Sequence, residues 1–302
     1  MNSWMFSKSS RSLGNFARVC EHVKFIVHSP KTEPFESKFC NNQTLLDACD
    51  TQGNYTFIVP QWLGGDKIIW KDRLISTFMN ATNNCVVFVD YSYYTQKSFN
   101  ELLALKGNLT TFIARKLRYF EELGFNPDNG ILFGFDIGAH FVLEAGIKYG
   151  VKKIGRIDCC EPRTNGFTSS DPSMAQTADA AKHVQCMHTS EDFGTADRFC
   201  PHDVNLGVCG RSQPEDIFTW AGNDIKCIEY YVASFKYDFN LVTQAAVEQK
   251  YSTTCVPKKQ VPDVSTYDPP KKFGWQFDFT LSEGEFYCIP NATASAEIED
   301  GL

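Results

Sequence analysis

In Gly130-Ile131-Leu132-Phe133-Gly134-Phe135-Asp136-Ile137-Gly138-Ala139-His140, an apolar run leads into a short segment that two glycines flank, and a second apolar run follows. This pattern predicts a buried strand, a sharp turn and a helix. The glycines at 134 and 138 permit a tight turn and close packing of the helix on the strand. Asp136 is therefore expected at the tip of the turn.

A strand-to-helix turn of this kind is the nucleophile elbow of α/β-hydrolases, where the residue between the glycines is a serine. This chain has Asp136 at that place. An aspartate is the nucleophile in epoxide hydrolases and haloalkane dehalogenases, which also need a histidine to activate the hydrolytic water. That histidine is expected late in the chain, but none of the six histidines follows His202. A hydrolase that uses Asp136 as its nucleophile stays open as the alternative.

The size and composition of the chain fit a globular protein. It has 302 residues, of which 43% are hydrophobic and 22% are charged, so it can bury a sizeable core. The net charge of −7 argues against non-specific binding of nucleic acid. No apolar run approaches the length of a transmembrane segment.

Cysteines and glycosylation sequons predict a secreted glycoprotein. The twelve cysteines indicate an oxidising compartment, and because none forms a Cys-x-x-Cys pair, we expect no zinc module. Five Asn-x-Thr sequons support secretion, namely Asn42, Asn54, Asn80, Asn108 and Asn291. Residues 1–18 show no clean signal sequence, so the sequence leaves open whether a signal was removed or is absent.

The rest of the chain alternates strand and helix patterns. Strands are predicted over residues 23–27, 55–59, 85–91 and 153–158, and amphipathic helices over 70–79 and 98–123. Residues 29–53 are predicted as loop with a short helix, and residues 256–272 as an irregular connector. This alternation predicts an α/β fold with a mostly parallel central sheet and helices on both faces.

Six segments, in the right order, resemble motifs of the pancreatic-lipase family, which includes phospholipases A1 and the lipase-like yolk proteins of insects. Residues 85–91 resemble N-V-I-V-V-D-W, residues 134–140 resemble G-H-S-L-G-A-H, and residues 155–162 resemble G-R-I-T-G-L-D-P-A-x-P at its ends. The other three are residues 184–189, residues 202–214 and the last strands, with 273–274 and 284–287. The resemblance implies one α/β-hydrolase domain, residues 23–302, without the family's C-terminal β-sandwich domain. Residues 1–22, which are polar and rich in serine, are predicted to be an N-terminal arm.

The resemblance also implies where a catalytic triad would lie. The nucleophile position holds Asp136, the position of the orienting acid is assigned to Asp158, and the position of the histidine base is assigned to Asp224. A different alignment of the same helix puts Glu229 at the base position. The three carboxylates at 136, 158 and 224 would crowd the site and could also hold a cation.

The oxyanion strand departs from the family pattern as well. It normally ends H-G-W or H-G-F, and this chain has Pro60-Gln61-Trp62, in which the N–H of Trp62 could remain as a donor. Loss of one triad member typically lowers the rate by about 10⁴- to 10⁶-fold, and two positions are changed here. The sequence therefore predicts an inactive lipase homologue rather than an enzyme.

A loop late in the chain contributes to the former substrate cleft. The resemblance implies that Cys209 and Cys227 form a disulfide that closes a lid, with Phe218 and Trp220 inside it. An ordinary surface loop closed by a disulfide explains the same residues. The expected cleft is lined by Trp62, Phe135, Asp136, Phe218 and Trp220.

The predicted function follows from the lost triad. A stable secreted scaffold without catalysis predicts a storage or structural protein of the yolk-protein type. A compatible variant binds an apolar small molecule or lipid in the old cleft, with self-association as a further option. Residual lipase or phospholipase A1 activity is the second enzymatic alternative. We expect no cofactor and no metal.

Overall fold

The structure is a computed structural model, and it describes residues 17, 19–39, 42–62, 68, 70–192, 194–213 and 222–290, except for the side chains of residues 222–224. Within these ranges the strands are β1 Lys24–Ser29, β2 Thr32–Glu36, β3 Tyr55–Val59, β4 Val86–Asp90, β5 Gly130–Phe135, β6 Arg156–Cys160, β7 His183–His188, β8 His202–Leu206, β9 Leu241–Val242 and β10 Gly284–Cys288.

All ten of these strands belong to one sheet with the order β2-β1-β4-β3-β5-β6-β7-β8-β10-β9. The strands from β4 to β10 in this order are parallel to their neighbours, and β1, β2 and β9 are antiparallel. A mostly parallel sheet requires helical crossovers on its faces. The predicted α/β-hydrolase fold is confirmed.

Nine α-helices connect the described strands. They are α1 Asn42–Ala48, α2 Lys71–Thr82, α3 Ser92–Thr95, α4 Phe99–Glu122, α5 Ile137–Tyr149, α6 Pro172–Ala175, α7 Thr177–Ala180, α8 Gly222–Ala233 and α9 Gln244–Tyr251. Short 3₁₀ turns lie at Pro127–Asn129 and Gly274–Gln276. In the described part of the chain, no helix combines the length and the apolar character that crossing a bilayer needs.

Helix α4 shows how local signals fix an element. Ser98 accepts a hydrogen bond from the Glu101 N–H at 3.3 Å, and Glu101 accepts one from the Ser98 N–H at 3.0 Å. This capping box satisfies two donors that the first turn of a helix leaves unpaired. The apolar face then buries Leu102, Leu109, Phe112, Ile113, Leu117 and Phe120 against the sheet. The predicted helix over 98–123 is confirmed.

Two hydrophobic cores cover the two faces of the sheet. Leu132 of β5 belongs to the core under α4 and α5, and its neighbour Phe133 belongs to the core under α2 and α8. Because side chains alternate along a strand, a strand buried on both sides is apolar throughout. All six residues of β5 are buried. The central strand therefore positions Asp136 rigidly at its carboxyl end.

The edge strand β2 is the main element that the sequence did not indicate. Thr32–Glu36 contains a proline and two glutamates and is mostly exposed, so it has no alternating apolar pattern. Proline and charge are typical of edge strands, where an unpaired side faces solvent. Residues 32–36, which were predicted as loop, form a strand because they pair with β1.

Four disulfides tie described elements together. They are Cys49–Cys85, Cys160–Cys227, Cys186–Cys200 and Cys209–Cys255. The predicted Cys209–Cys227 bond is wrong. Packing of α8 on the sheet brings Cys227 to the end of β6, where its Cα lies 5.7 Å from that of Cys160, inside the usual range for a disulfide. Cys159, the other member of the adjacent pair, is a buried free thiol.

Candidate functional site

The turn after β5 has the backbone of a nucleophile elbow. Asp136 has φ 57° and ψ −119°, a conformation that L-residues rarely adopt. A Cβ at Gly134 would lie 2.5 Å from the Gly138 carbonyl oxygen, and a Cβ at Gly138 would lie 2.1 Å from that of Val59. Both positions therefore require glycine, as the sequence predicts. Such a backbone costs about 1–3 kcal/mol and persists because packing enforces it.

The Asp136 carboxylate is bound by groups around the elbow. Its Oδ1 accepts a hydrogen bond from the Arg163 guanidinium at 3.0 Å, and its Oδ2 accepts one from the Trp62 N–H at 3.3 Å. The Arg163 guanidinium also lies over the Phe99 ring, 4.8 Å from its centroid. Asp136 is only 7% exposed. The side chain at the nucleophile position is thus held in a nearly buried ion pair.

Burial raises the pKa of Asp136 above its ordinary value, while the Arg163 guanidinium and the N–H groups of Ile137 and Trp62 lower it in part. In α/β-hydrolases the oxyanion hole consists of the N–H after the nucleophile and an N–H from the loop after a neighbouring strand. Ile137 follows Asp136, and Trp62 follows β3. The carboxylate of Asp136 is therefore stabilised by the pair of donors that would form an oxyanion hole.

Asp158 does not join Asp136. It lies in the middle of β6, opposite Phe133 of β5, three residues before the elbow position. Three residues of strand span about 10 Å. The Asp158 carboxylate is completely buried and is bound by Arg156 Nε at 2.9 Å, Gln185 Nε2 at 2.7 Å and the Tyr231 hydroxyl at 2.5 Å. At this separation Asp158 cannot orient a base beside Asp136, and the two carboxylates cannot bind one cation together. The predicted position of the orienting acid is therefore wrong.

The carboxylate next to the elbow is Glu161, which is not among the predicted site residues. Phe135 pairs with Cys160, so Asp136 and Glu161 are the residues that follow two adjacent parallel strands. The Asp136 N–H donates to the Cys160 carbonyl at 3.1 Å. Glu161 is buried, and its Oε2 accepts a hydrogen bond from the Thr189 N–H at 2.6 Å. The signal was the dipeptide Glu161-Pro162, which matches the D-P of the family motif better than Asp158 does.

The candidate base positions lie on α8. Asp224 belongs to its first turn, and the side chain of Asp224 is outside the described residues. The alternative, Glu229, forms an ion pair with Lys226 at 2.8 Å. Glu229 is therefore committed to a pair within its own helix.

No histidine is a hydrogen-bond or ion-pair partner of Asp136, although all six lie in described parts of the chain. His140, in α5, is buried with its ring nitrogens 3.1 Å from the Ser173 hydroxyl and 2.8 Å from the Arg163 carbonyl. Burial lowers the pKa of His140 to about 4, so the ring is neutral at pH 7. His188 is 2.9 Å from Asp203, and His202 lies between two backbone carbonyls. These three rings therefore have hydrogen-bond partners within the fold.

The expected cleft residues have different environments. The Trp62 ring packs 5.2 Å from the Phe99 ring, and Phe135 is 2% exposed and packs edge-on against Trp70 at 5.8 Å. Phe135 therefore belongs to the core beneath the elbow. Phe218 and Trp220 lie outside the described residues.

The sequons differ in exposure. Asn42, Asn54 and Asn80 are exposed, whereas Asn108 is half-buried within α4 and the hydroxyl of its sequon residue Thr110 is bonded inside the protein. Asn291 lies outside the described residues. Cys186, Cys200 and Asp203 are the one cluster of possible metal ligands among the described side chains, and the two cysteines are joined as a disulfide.

Comparison with known proteins identifies relatives of this chain. A family profile described as Lipase matches residues 12–206, which is more than half of the chain. The human protein phospholipase A1 member A is 25% identical over 174 residues, covering 57% of this chain and 35% of that protein. The rat pancreatic lipase-related protein 2 is 32% identical over 159 residues, covering 49% of this chain and 31% of that protein.

The chain thus spans about a third of the length of these curated relatives. Among solved structures, one similar protein is MGS-M1, described as an alpha/beta hydrolase enzyme from a Medee basin deep-sea metagenome library. It shares 12% identity with a TM-score of 0.33, covering 58% of this chain and 73% of that one.

Proposed function

Because this chain belongs to the lipase family, we propose that it is a secreted, catalytically inactive member that serves as a storage or structural protein. Binding of an apolar small molecule or lipid in the former substrate cleft is a compatible second role. The four disulfides among the described residues and the exposed sequons fit an extracellular location.

One observation carries the proposal: the residue at the elbow is a carboxylate that already binds Arg163 and the Trp62 N–H. Acyl transfer needs a nucleophile, and it needs free donors where negative charge develops on the substrate oxygen. In this site the Trp62 N–H and the Arg163 guanidinium already bind the carboxylate of Asp136. A substrate carbonyl oxygen would have to displace that carboxylate, which is attached to the backbone of the elbow.

The lack of a base supports the same conclusion. An aspartate nucleophile also requires a group that activates water for the second step. Among the described residues no histidine is a hydrogen-bond partner of Asp136, and Arg163, which is one, has N–H donors and no acceptor atom. Loss of a single triad member already lowers rates by about 10⁴- to 10⁶-fold.

Turnover assays on the wild type and Asp136→Asn test the inactivity. With p-nitrophenyl esters, a phospholipid and an epoxide as substrates, we expect both proteins to match the buffer rate. Turnover that Asp136→Asn abolishes would establish the aspartate-nucleophile alternative. In H₂¹⁸O that mechanism also transfers the water oxygen to the Asp136 carboxylate, which peptide mass spectrometry detects as a gain of about 2 Da per exchanged oxygen. Turnover that Asp136→Asn retains would indicate residual lipase activity from another nucleophile.

Native mass spectrometry separates the two non-catalytic roles. The protein is purified from its source and weighed before and after denaturation. A bare glycosylated polypeptide is expected for a storage or structural protein. A mass that is lost on denaturation would instead support the carrier role, and its identity would name the ligand.

A further inference from the structure

A surface pocket lies between α2 and the carboxyl end of α8. Its volume is about 580 Å³, and its walls include Arg73 and Asn80 of α2 together with Phe235, Lys236, Tyr237 and Trp275. The carboxyl end of α2, which carries Asn80, leads into the amino end of β4. The pocket therefore lies near the amino ends of the parallel strands, whereas the elbow lies at their carboxyl ends. Pockets of about 300–1,000 Å³ commonly hold a small-molecule-sized group.

One wall of the pocket carries a glycosylation sequon. Asn80-Ala81-Thr82 ends helix α2, Asn80 is exposed, and both Asn80 and Ala81 line the pocket. The Thr82 hydroxyl donates to the Phe78 carbonyl at 2.8 Å, which places it in the last turn of the helix. A sugar attached to Asn80 would therefore begin inside the mouth of the pocket.

The opposite wall has the side chains that sugars contact. Phe235 and Trp275 stack with their ring centroids 4.6 Å apart, and the Lys236 ammonium lies 4.7 Å from the centroid of the Tyr237 ring. Aromatic rings offer flat apolar surfaces for the C–H face of a pyranose. Arginine and lysine N–H groups donate to hydroxyl and acetamido oxygens. None of the residues that line the pocket is acidic.

We propose that Asn80 carries an N-linked glycan whose first N-acetylglucosamine residues occupy this pocket. The proposal rests on the extracellular location in the proposed function, and it does not depend on whether the protein is an enzyme. The glycan covers the groove between α2 and α8, and its attached end keeps its local concentration at the pocket high.

The other sequons provide internal controls. Asn42 is exposed at the start of α1 and is not among the residues of the pocket, so its glycan should be open to enzymes. Asn108 differs from Asn80 because it is half-buried, and Thr110 of its sequon is completely buried with its hydroxyl bonded to Glu144 Oε1 at 3.1 Å. We expect Asn108 to be unmodified.

The test uses the full chain secreted from a eukaryotic culture. Peptide-N-glycosidase F treatment in H₂¹⁸O converts each occupied asparagine to labelled aspartate, and peptide mass spectrometry follows each site over time in the native and the denatured protein. In the native protein we expect release from Asn80 to be at least about tenfold slower than release from Asn42, and the rates to converge after denaturation.

Two lysines that lie over tyrosine rings give a matched pair of variants. Lys236→Ala removes a wall residue and should speed native release from Asn80, whereas Lys250→Ala, whose ammonium lies 5.5 Å from the Tyr251 ring outside the pocket, should not. Equal rates of release from Asn80 and Asn42 in the native protein would show that the Asn80 glycan does not occupy the pocket. An unmodified Asn80 together with a modified Asn42 would show that Asn80 is not a glycosylation site. A chain without glycan at any sequon would overturn both this proposal and the extracellular location, and leave the turnover assays unaffected.

Discussion

Two buried aspartates on neighbouring strands have opposite environments. Asp158, inside β6, is bound by Arg156, Gln185 and Tyr231. Arg156 also donates to the carbonyls of Gly274 and Trp275. Asp136, at the end of β5, has one guanidinium and backbone N–H groups at a backbone conformation that L-residues rarely adopt.

The contrast separates a structural carboxylate from the carboxylate at the tip of the elbow. The first is saturated by donors on several elements, so its role is to join β6, α8 and the turn at 274–276. The second lies where the backbone is strained, and packing around Gly134 and Gly138 maintains that strain. The backbone of a nucleophile elbow therefore forms here around an aspartate, because the helix and strand need glycine at both positions to pack.

The largest effect is expected for Asp158→Asn. This change leaves Arg156, whose side chain is only 15% exposed, without its counter-charge, and breaking a buried ion pair typically costs about 3–5 kcal/mol. Urea unfolding at pH 7, followed by circular dichroism, measures the change in the free energy of unfolding.

Asp238→Asn is the matched control for that experiment. Asp238 pairs with Lys272 at 2.8 Å but is 58% exposed, so its loss should cost less than about 1 kcal/mol. Equal losses of unfolding free energy in Asp158→Asn and Asp238→Asn would show that Asp158 does not have a structural role.

A smaller effect is expected for Asp136→Asn. Asparagine keeps one oxygen for either Arg163 or Trp62, but its amide NH₂ then faces the other donor, which loses its acceptor. The free energy of unfolding should therefore fall by about 1–2 kcal/mol. The same urea titration measures it. A loss as large as that of Asp158→Asn would mean that the elbow carboxylate is equally structural.

The smallest effect is the pH dependence of the difference in unfolding free energy between the wild type and Asp136→Asn. Because burial raises the pKa of Asp136 above 3.8, the folded protein keeps the proton at pH values where the unfolded chain has lost it. The stability of the wild type relative to Asp136→Asn should therefore fall as the pH rises from below 3.8 through the folded pKa, and then stay level. Urea titrations between pH 3.5 and 7 follow it, and a rise over this range would show that Arg163 outweighs burial.

Short-range patterns in the sequence were enough for most of the fold. The glycines at 134 and 138, the capping box at Ser98 and the alternating apolar runs each depend on residues a few positions apart, and each predicted element was found. The edge strand β2 was missed because its strand conformation comes from pairing with β1 and not from an apolar pattern of its own.

Contacts between residues far apart in the chain could not be predicted from short-range sequence patterns. Cys227 pairs with Cys160 and not with Cys209, because the docking of α8 on β6 decides which sulfurs meet. Glu161 and not Asp158 lies beside the elbow, because the register of β5 and β6 sets which residue ends level with Asp136.

The family, the elbow and the changed residue at its tip are properties of residue identity and local spacing, and they can be read from the chain alone. The partners of Asp136, Asp158 and the cysteines depend on how strands pair and helices dock across the whole molecule. Several of these contacts join residues that are far apart in the chain, with separations of 74 between Trp62 and Asp136 and 73 between Asp158 and Tyr231. The local pattern around either residue carries no record of the other.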